Sequence, residues 1–192
     1  MLRRLYDWTM GLAHHPHAMW ALAFVAFIES SVFPIPPDVL IIPMVLARPR
    51  QAWLIAGVAT LASVAGGIAG YAIGAGLMDT VGQWVLTAYG KAEAFDQLAA
   101  RFNEQGAWAV LIAGVTPFPF KVITIFSGAT GLSLPLFIGV AIIARALRFF
   151  VVAGLLRIYG APIRDFIERR LGLVFTVAML MLIGGFVAVK WL

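Results

Sequence analysis

The sequence predicts an all-α integral membrane protein of two inverted repeats, each a re-entrant helical hairpin followed by a transmembrane helix, with an extra C-terminal transmembrane helix. Three observations predict it. The 192 residues are 62% hydrophobic and only 12% charged, more apolar surface than a soluble domain of this size can hide, so lipid is the expected solvent. Two apolar segments are broken by prolines, at Pro34, Pro36 and Pro37 and again at Pro117 and Pro119, and each is followed by an unbroken apolar stretch. The charged residues cluster at a few places whose balance by side is uneven. No Gly/Ser-rich or charge-rich linker divides the chain, so a single membrane domain over 1–192 is expected.

The first segment, 1–17, carries Leu2, Leu5, Trp8 and Leu12 at helical spacing with Arg3, Arg4 and Asp7 between them, which predicts an interfacial amphipathic helix. It lacks the apolar core and small-residue cleavage site of a signal peptide. Residues 18–47 are apolar but contain Glu29, Pro34, Pro36, Pro37, Asp38 and Pro43. No continuous helix passes through Pro34-Ile35-Pro36-Pro37, because each proline removes a donor and restricts its predecessor. Asp38 to Ala47 is about half the ~20 residues a ~30 Å core requires, so 18–47 is predicted to enter and leave on the same side.

Residues 52–78 form an uninterrupted apolar span. Gly66, Gly70 and Gly74 lie at i, i+4 and i+8, a small-residue face for helix packing. Residues 79–105 place Lys91, Glu93, Asp96, Arg101 and Glu104 among Phe95, Leu98 and Phe102, the pattern of an amphipathic linker too polar to span. Residues 107–137 repeat the broken pattern, with Pro117, Pro119 and Lys121 at the interruption and a breaker cluster from Gly128 to Pro135. Spans at 138–158 and 172–189 complete the chain.

With both hairpins re-entrant, the N-terminus, the Arg48/Arg50 loop and the Arg157 to Arg170 loop share a side. That side collects Arg3, Arg4, Arg48, Arg50, Arg157, Arg164, Arg169 and Arg170 against Asp7, Asp165 and Glu168. The other holds Lys91, Arg101 and Lys190 against Asp79, Glu93, Asp96 and Glu104. The positive-inside rule makes the first side, and the N-terminus, cytoplasmic, with the hairpins entering from opposite faces.

Five ionisable residues are left at membrane depth: Glu29, Asp38, Lys121, Arg145 and Arg148. Each costs at least ~2.5 kcal/mol at the bilayer centre on insertion scales, so they must be paired or functional. Arg145 and Arg148 are three apart on one helical face, suited to gripping a phosphate or to pairing with the acids. Lys121, Arg145 and Arg148 are therefore the candidate substrate-binding set, and Glu29 and Asp38 the candidate proton-coupling acids. The plainer reading is that the acids only neutralise the arginines. A water-filled space between the two tips would satisfy the backbone groups the prolines free.

Other features have structural readings. Trp8, Trp20, Trp53, Trp84, Trp108 and Trp191 fall near predicted boundaries as interface anchors. His14, His15 and His17 flank Pro16 in a polar loop. The chain has no cysteine, which removes disulfides and thiolate sites. The net charge of +5 resides beside apolar segments, so nucleic acid is not an expected partner. No nucleotide-binding loop, catalytic serine elbow or metal-spacing motif appears, and neither an enzyme activity nor a cofactor or metal is expected.

The stretch Phe27-Ile28-Glu29-Ser30-Ser31-Val32-Phe33-Pro34-Ile35-Pro36-Pro37-Asp38 resembles the first hairpin of the DedA family, also called VTT or SNARE-associated proteins, and the short chain resembles its YqaA-like branch. Gly66 to Gly74 with Tyr71 resembles the family's glycine-rich helix, and Arg145-Ala146-Leu147-Arg148-Phe149 its late arginine-bearing helix. The resemblance runs from about Phe24 to Gly160. It implies lipid flipping or scrambling, undecaprenyl phosphate or phospholipid as substrate, and dependence on protons, with Glu29 and Asp38 matching the hairpin acids. In the second hairpin Val115-Thr116-Pro117-Phe118-Pro119-Phe120-Lys121 keeps the proline but has only Lys121 where the family pattern has two arginines. The reading reached is a multi-pass transporter of an anionic lipid headgroup in the cytoplasmic membrane. Its rivals are a non-transporting structural or assembly protein and a proton-coupled carrier of a small soluble ion.

Overall fold

The computed structural model describes residues 17–33, 35–116 and 118–169, and among them every regular element is helical. The expected helix at 1–17 (apart from His17), the C-terminal span at 172–189, and the hinge prolines Pro34 and Pro117 lie outside the described residues. Helix α1 (Ala18–Ser31) stops at the proline cluster, where the amides of Val32 and Phe33 both donate to the Ile28 carbonyl. Helix α2 (Asp38–Ala47) restarts directly after Pro37, with Asp38 in its first turn, where a carboxylate is favoured by the helix dipole. At a rise of 1.5 Å per residue, α1 and α2 reach roughly 20 and 15 Å, short of a ~30 Å hydrocarbon core.

A single 3₁₀ turn (Pro49–Gln51) leads into α3 (Ala52–Leu77). The helix runs on through a π turn (Met78–Gly82) into α4 (Gln83–Ala88), so the expected boundary at residue 78 is not a chain break. No proline interrupts this stretch, and the π turn absorbs the change of register. The amphipathic segment is the shorter helix α5 (Ala92–Glu104), whose Ala92, Phe95, Ala99, Phe102 and Asn103 are its less exposed positions. Next come α6 (Gly106–Val115) and α7 (Phe120–Ala129), again too short to span, and α8 (Leu134–Arg169). Helix α8 begins four residues before the expected start at 138. Pro135 occupies its first turn, where its missing N–H leaves no bond unmade. It also runs past 158, kinking at Tyr159 ahead of Pro162.

Contacts along the glycine face fix the directions. Phe27 backbone lies against Gly66 and the Ser30 carbonyl against Gly70, so α1 runs parallel to α3. Leu46 meets Gly160 and Asp38 meets Arg148, so α2 runs with α8. The two long helices are antiparallel, with Phe137 near Gly67 and Gly154 near Trp53. Helix α6 follows α8, since Gly106 meets Leu132 and Gly114 meets Ala144. Helix α7 follows α3, with Thr124 at Gly70 and Ile125 at Gly74. The chain thus folds back at 32–37 and at 116–119 from opposite ends of the bundle, and the two tips meet midway.

Two apolar clusters hold the ends. One joins Leu22, Ile41, Met44, Val45, Ile55 and Phe149. The other joins Val110, Phe120, Leu132, Phe137 and Ala141. Outside, large apolar side chains face away from the protein, as with Phe24 at 66% and Leu61 at 73% exposure. Pro49–Ala88 and Leu134–Gly160 are long and apolar enough to cross a membrane. An outer surface of this kind is the one lipid covers.

A Cβ at Gly74 would run into the Ile125 carbonyl, whereas one at Gly76 meets nothing within 4 Å. Gly74→Ala is expected to destabilise by about 1–3 kcal/mol, as overpacking does. Gly76→Ala is expected to stabilise by up to ~1 kcal/mol through helix propensity. Thermal unfolding in detergent, followed by circular dichroism, checks both, and equal midpoints would contradict the packing described.

Candidate functional site

Between the two apolar clusters lies a polar layer drawn from four helices. Glu29 and Ser30 come from the last turn of α1, Ser63 from α3, Thr124 from α7 and Arg145 from α8. Ser63 stands one turn before Gly66, so the face that lets the helices approach also delivers a hydroxyl to their contact. Arg145 Nη2 lies 2.8 Å from Glu29 Oε2 and its Nε donates to Ser63 Oγ at 2.6 Å. Ser63 and Ser30 hydroxyls are 2.6 Å apart, and Ser30 Oγ donates to Glu29 Oε2 at 3.0 Å.

A guanidinium only donates and an ionised carboxylate only accepts, which sets the sense of the ring. Arg145 Nε donates to Ser63, Ser63 to Ser30, and Ser30 to Glu29, which also accepts from Arg145 Nη2. The arginine is fully buried, with the Phe120 and Phe149 rings 4.8 and 4.6 Å from its Cζ. Those ring faces offer partial negative charge in place of water. Its Nη1 has no hydrogen-bond acceptor among the described residues, so Glu29 supplies the compensation that holds the charge in place.

One turn along α8, Arg148 forms a second and more open tier. Its Nη2 donates to Asp38 Oδ2 at 2.6 Å and its Nη1 to the Thr116 carbonyl at 2.6 Å. Lys121 Nζ donates to the Val32 carbonyl at 2.9 Å. Thr116 caps α6 and Val32 caps α1, so each cation meets the carbonyl end of a broken helix, where the helix dipole favours positive charge. Thr124 Oγ1 joins the tips once more, donating to the Ser30 carbonyl at 2.9 Å.

The structure thus brings Glu29, Asp38, Lys121, Arg145 and Arg148 to the meeting of the two tips. Glu29 pairs with Arg145 and Asp38 with Arg148, while Lys121 reaches a carbonyl rather than an acid. Pro36, Pro37 and Pro119 stand at the tips. Gly66, Gly70 and Gly74 line the contacts with Phe27, with Ser30 and Thr124, and with Ile125. Sequence reasoning passed over Ser30, Ser63, Thr124, Phe120, Phe149 and the Thr116 carbonyl. Ser30 is adjacent to Glu29 and Ser63 shares the glycine face, which were the available signals. The rings and the carbonyl had none.

The model of the VTT domain matches residues 35–158 of this chain. The chain belongs to the VTT domain family, the DedA family. The match takes in Asp38, Ser63, Lys121, Arg145 and Arg148 and begins after Glu29. An uncharacterized protein of Haemophilus influenzae is 39% identical over 151 residues, covering 79% of this chain and 78% of the relative. Another uncharacterized protein, of Histophilus somni, is 37% identical over 168 residues, covering 85% and 87%. No solved structure matches. Family and apolar helices together make the chain a membrane protein with a transporter-like role.

Glu29→Leu leaves the Arg145 charge buried without its counter-ion, and a loss of about 3–5 kcal/mol is expected. Adding Arg145→Met, which removes the charge as well, is expected to restore most of it. Denaturant unfolding in mild detergent measures both, and a single variant as stable as the native chain would refute the role given to the pair.

Proposed function

We propose that this VTT-domain protein moves an anionic lipid headgroup across the cytoplasmic membrane, in two inverted repeats whose hairpins are re-entrant. The observation that carries the reading is Arg148, which bonds to both hairpin tips at once and remains partly open to solvent. A site where two half-depth hairpins from opposite ends converge can open to either side by small movements of the tips, as alternating access requires. Intramembrane cations at such a point mark a path for anions.

In this reading Lys121, Arg145 and Arg148 form the cationic set, with Arg148 and Lys121 nearest to solvent and Arg145 behind them. Glu29 and Asp38 take and release protons, so that the grip on the headgroup loosens on one side. A polyprenyl phosphate or a phospholipid supplies the required anion on an apolar tail. The end carrying the Arg48/Arg50 loop and Arg157 faces the cytoplasm by the positive-inside rule, and the N-terminus with it. Lys91 and Arg101 lie toward the other end, beside Glu93, Asp96 and Glu104.

A second reading, a structural or assembly protein without transport, draws on the pairing of both acids with arginines. Reconstitution separates the two. Purified protein in vesicles is expected to exchange a labelled lipid phosphate between leaflets, and Arg148→Gln to slow this by at least about tenfold, the loss of one charge-assisted contact. A well-folded native sample with no exchange above empty vesicles would leave the structural reading standing.

A further inference from the structure

The two arginines of α8 differ in one respect that bears on their chemistry. Around Arg145 two donors are committed within the bundle, the Phe120 and Phe149 rings lie against the guanidinium, and side-chain exposure is 0%. Arg148 and its partner Asp38 are 15% and 22% exposed. Only a single carboxylate oxygen of Asp38 meets Arg148, and the guanidinium's other end holds a neutral carbonyl. Lys121 likewise holds a neutral carbonyl. This outer tier therefore contains two cations and one anion.

We infer that Asp38 is a tethered substitute for the cargo: its carboxylate occupies the place on Arg148 that a phosphate takes, and the anion binds by displacing it. The inference rests on the anionic-headgroup reading and assigns Asp38 a competitive role within it. A carboxylate and a phosphate oxygen present the same acceptor to a guanidinium, so one replaces the other without new geometry at Arg148. A phosphate monoester carries about −1.5 to −2 near neutral pH, which matches the two cations once Asp38 has withdrawn.

The release is also local. Asp38 opens α2, immediately after Pro37, so its displaced carboxylate stays at a helix amino end, where negative charge is stabilised. The other limb of the same hairpin remains fixed by the Glu29, Ser30, Ser63 and Arg145 ring. Hairpin 1 thus has one anchored limb and one held through a contact that an incoming anion can take over.

Calorimetric titration of the purified full-length protein with dioctanoyl phosphatidic acid, and separately with inorganic phosphate, tests this. Asp38→Asn is expected to bind at least about tenfold more tightly than the native chain, with Asp38→Glu close to native and Arg148→Gln weakest. Asp38 dependence seen with inorganic phosphate as well as with the lipid supports the inference and makes the phosphate group itself the ligand. Dependence seen only with the lipid supports it with the headgroup as ligand. Native binding that Asp38→Asn fails to tighten overturns the inference and leaves the transport reading intact, whereas no binding by either protein overturns both. Because the chain has no cysteine of its own, spin labels can be placed at Val39 and Leu147, which are 49% and 50% exposed. This measurement keeps Asp38 native and needs no folded Asp38 variant. Saturating lipid phosphate is expected to lengthen or broaden the label distance, and an unchanged distribution under lipid that demonstrably binds overturns the displacement.

Discussion

The Glu29–Arg145 pair is the contact on which the rest of the arrangement depends. A fully buried guanidinium in a bundle surrounded by lipid has no recourse to water, so its acid must arrive from another helix at the same depth. Glu29 reaches that depth because α1 ends there, stopped by the proline cluster one turn later. Ser30 and Ser63 then close the ring, and three helices share one register. A buried ion pair adds little net stability over a well-packed apolar pair, but a mismatched one is severely unfavourable. The contact therefore selects one alignment of α1, α3 and α8 over its neighbours, and the two apolar clusters supply the bulk of the packing on either side.

The same breaks that shorten the helices create the second tier. Each broken helix leaves carbonyls or amides without intrahelical partners midway along the bundle. Lys121 answers the carbonyl end of α1 and Arg148 that of α6, while Asp38 stands at the amide end of α2. Charge and backbone geometry are thus two sides of one problem, since prolines create polar ends and ionisable side chains complete them. A continuous helix at either hairpin would leave Lys121 and Arg148 without those acceptors.

Much of this was legible in the residues. The breaks at Pro36, Pro37 and Pro119 and the small-residue face at Gly66, Gly70 and Gly74 follow from local sterics, which a sequence states directly. That Arg145 and Arg148 share a face with spacing for two partners was also legible, because helical periodicity is regular. Which acid meets which arginine was not, since pairing depends on the crossing of α1 and α2 against α8. The run-on from α3 into α4 was missed because polar residues after 78 read as a boundary. A helix with no breaker continues even where its environment changes, and the π turn marks the adjustment. The Phe120 and Phe149 rings were hidden for another reason: aromatic residues in an apolar run look like ordinary packing until a cation is found between them.

The distribution of contacts also restricts how such a protein can move. The buried ring binds α1, α3 and α8 into a unit, and opening it would expose an unpaired charge within the bundle. Helices α2 and α6 are attached differently. Each lies along α8, and their inner ends are joined to it through Arg148, which hydrogen-bonds to Asp38 and to the Thr116 carbonyl together. Loss of those two hydrogen bonds would remove the polar hold on both inner ends while leaving the Glu29 ring and the glycine face undisturbed, and Gly114 of α6 would still pack on Ala144. Arg148 shares the joining of the tips with Lys121 at Val32 and Thr124 at Ser30, so exchange at Arg148 loosens the α2 and α6 limbs while those two contacts keep α1 and α7 together.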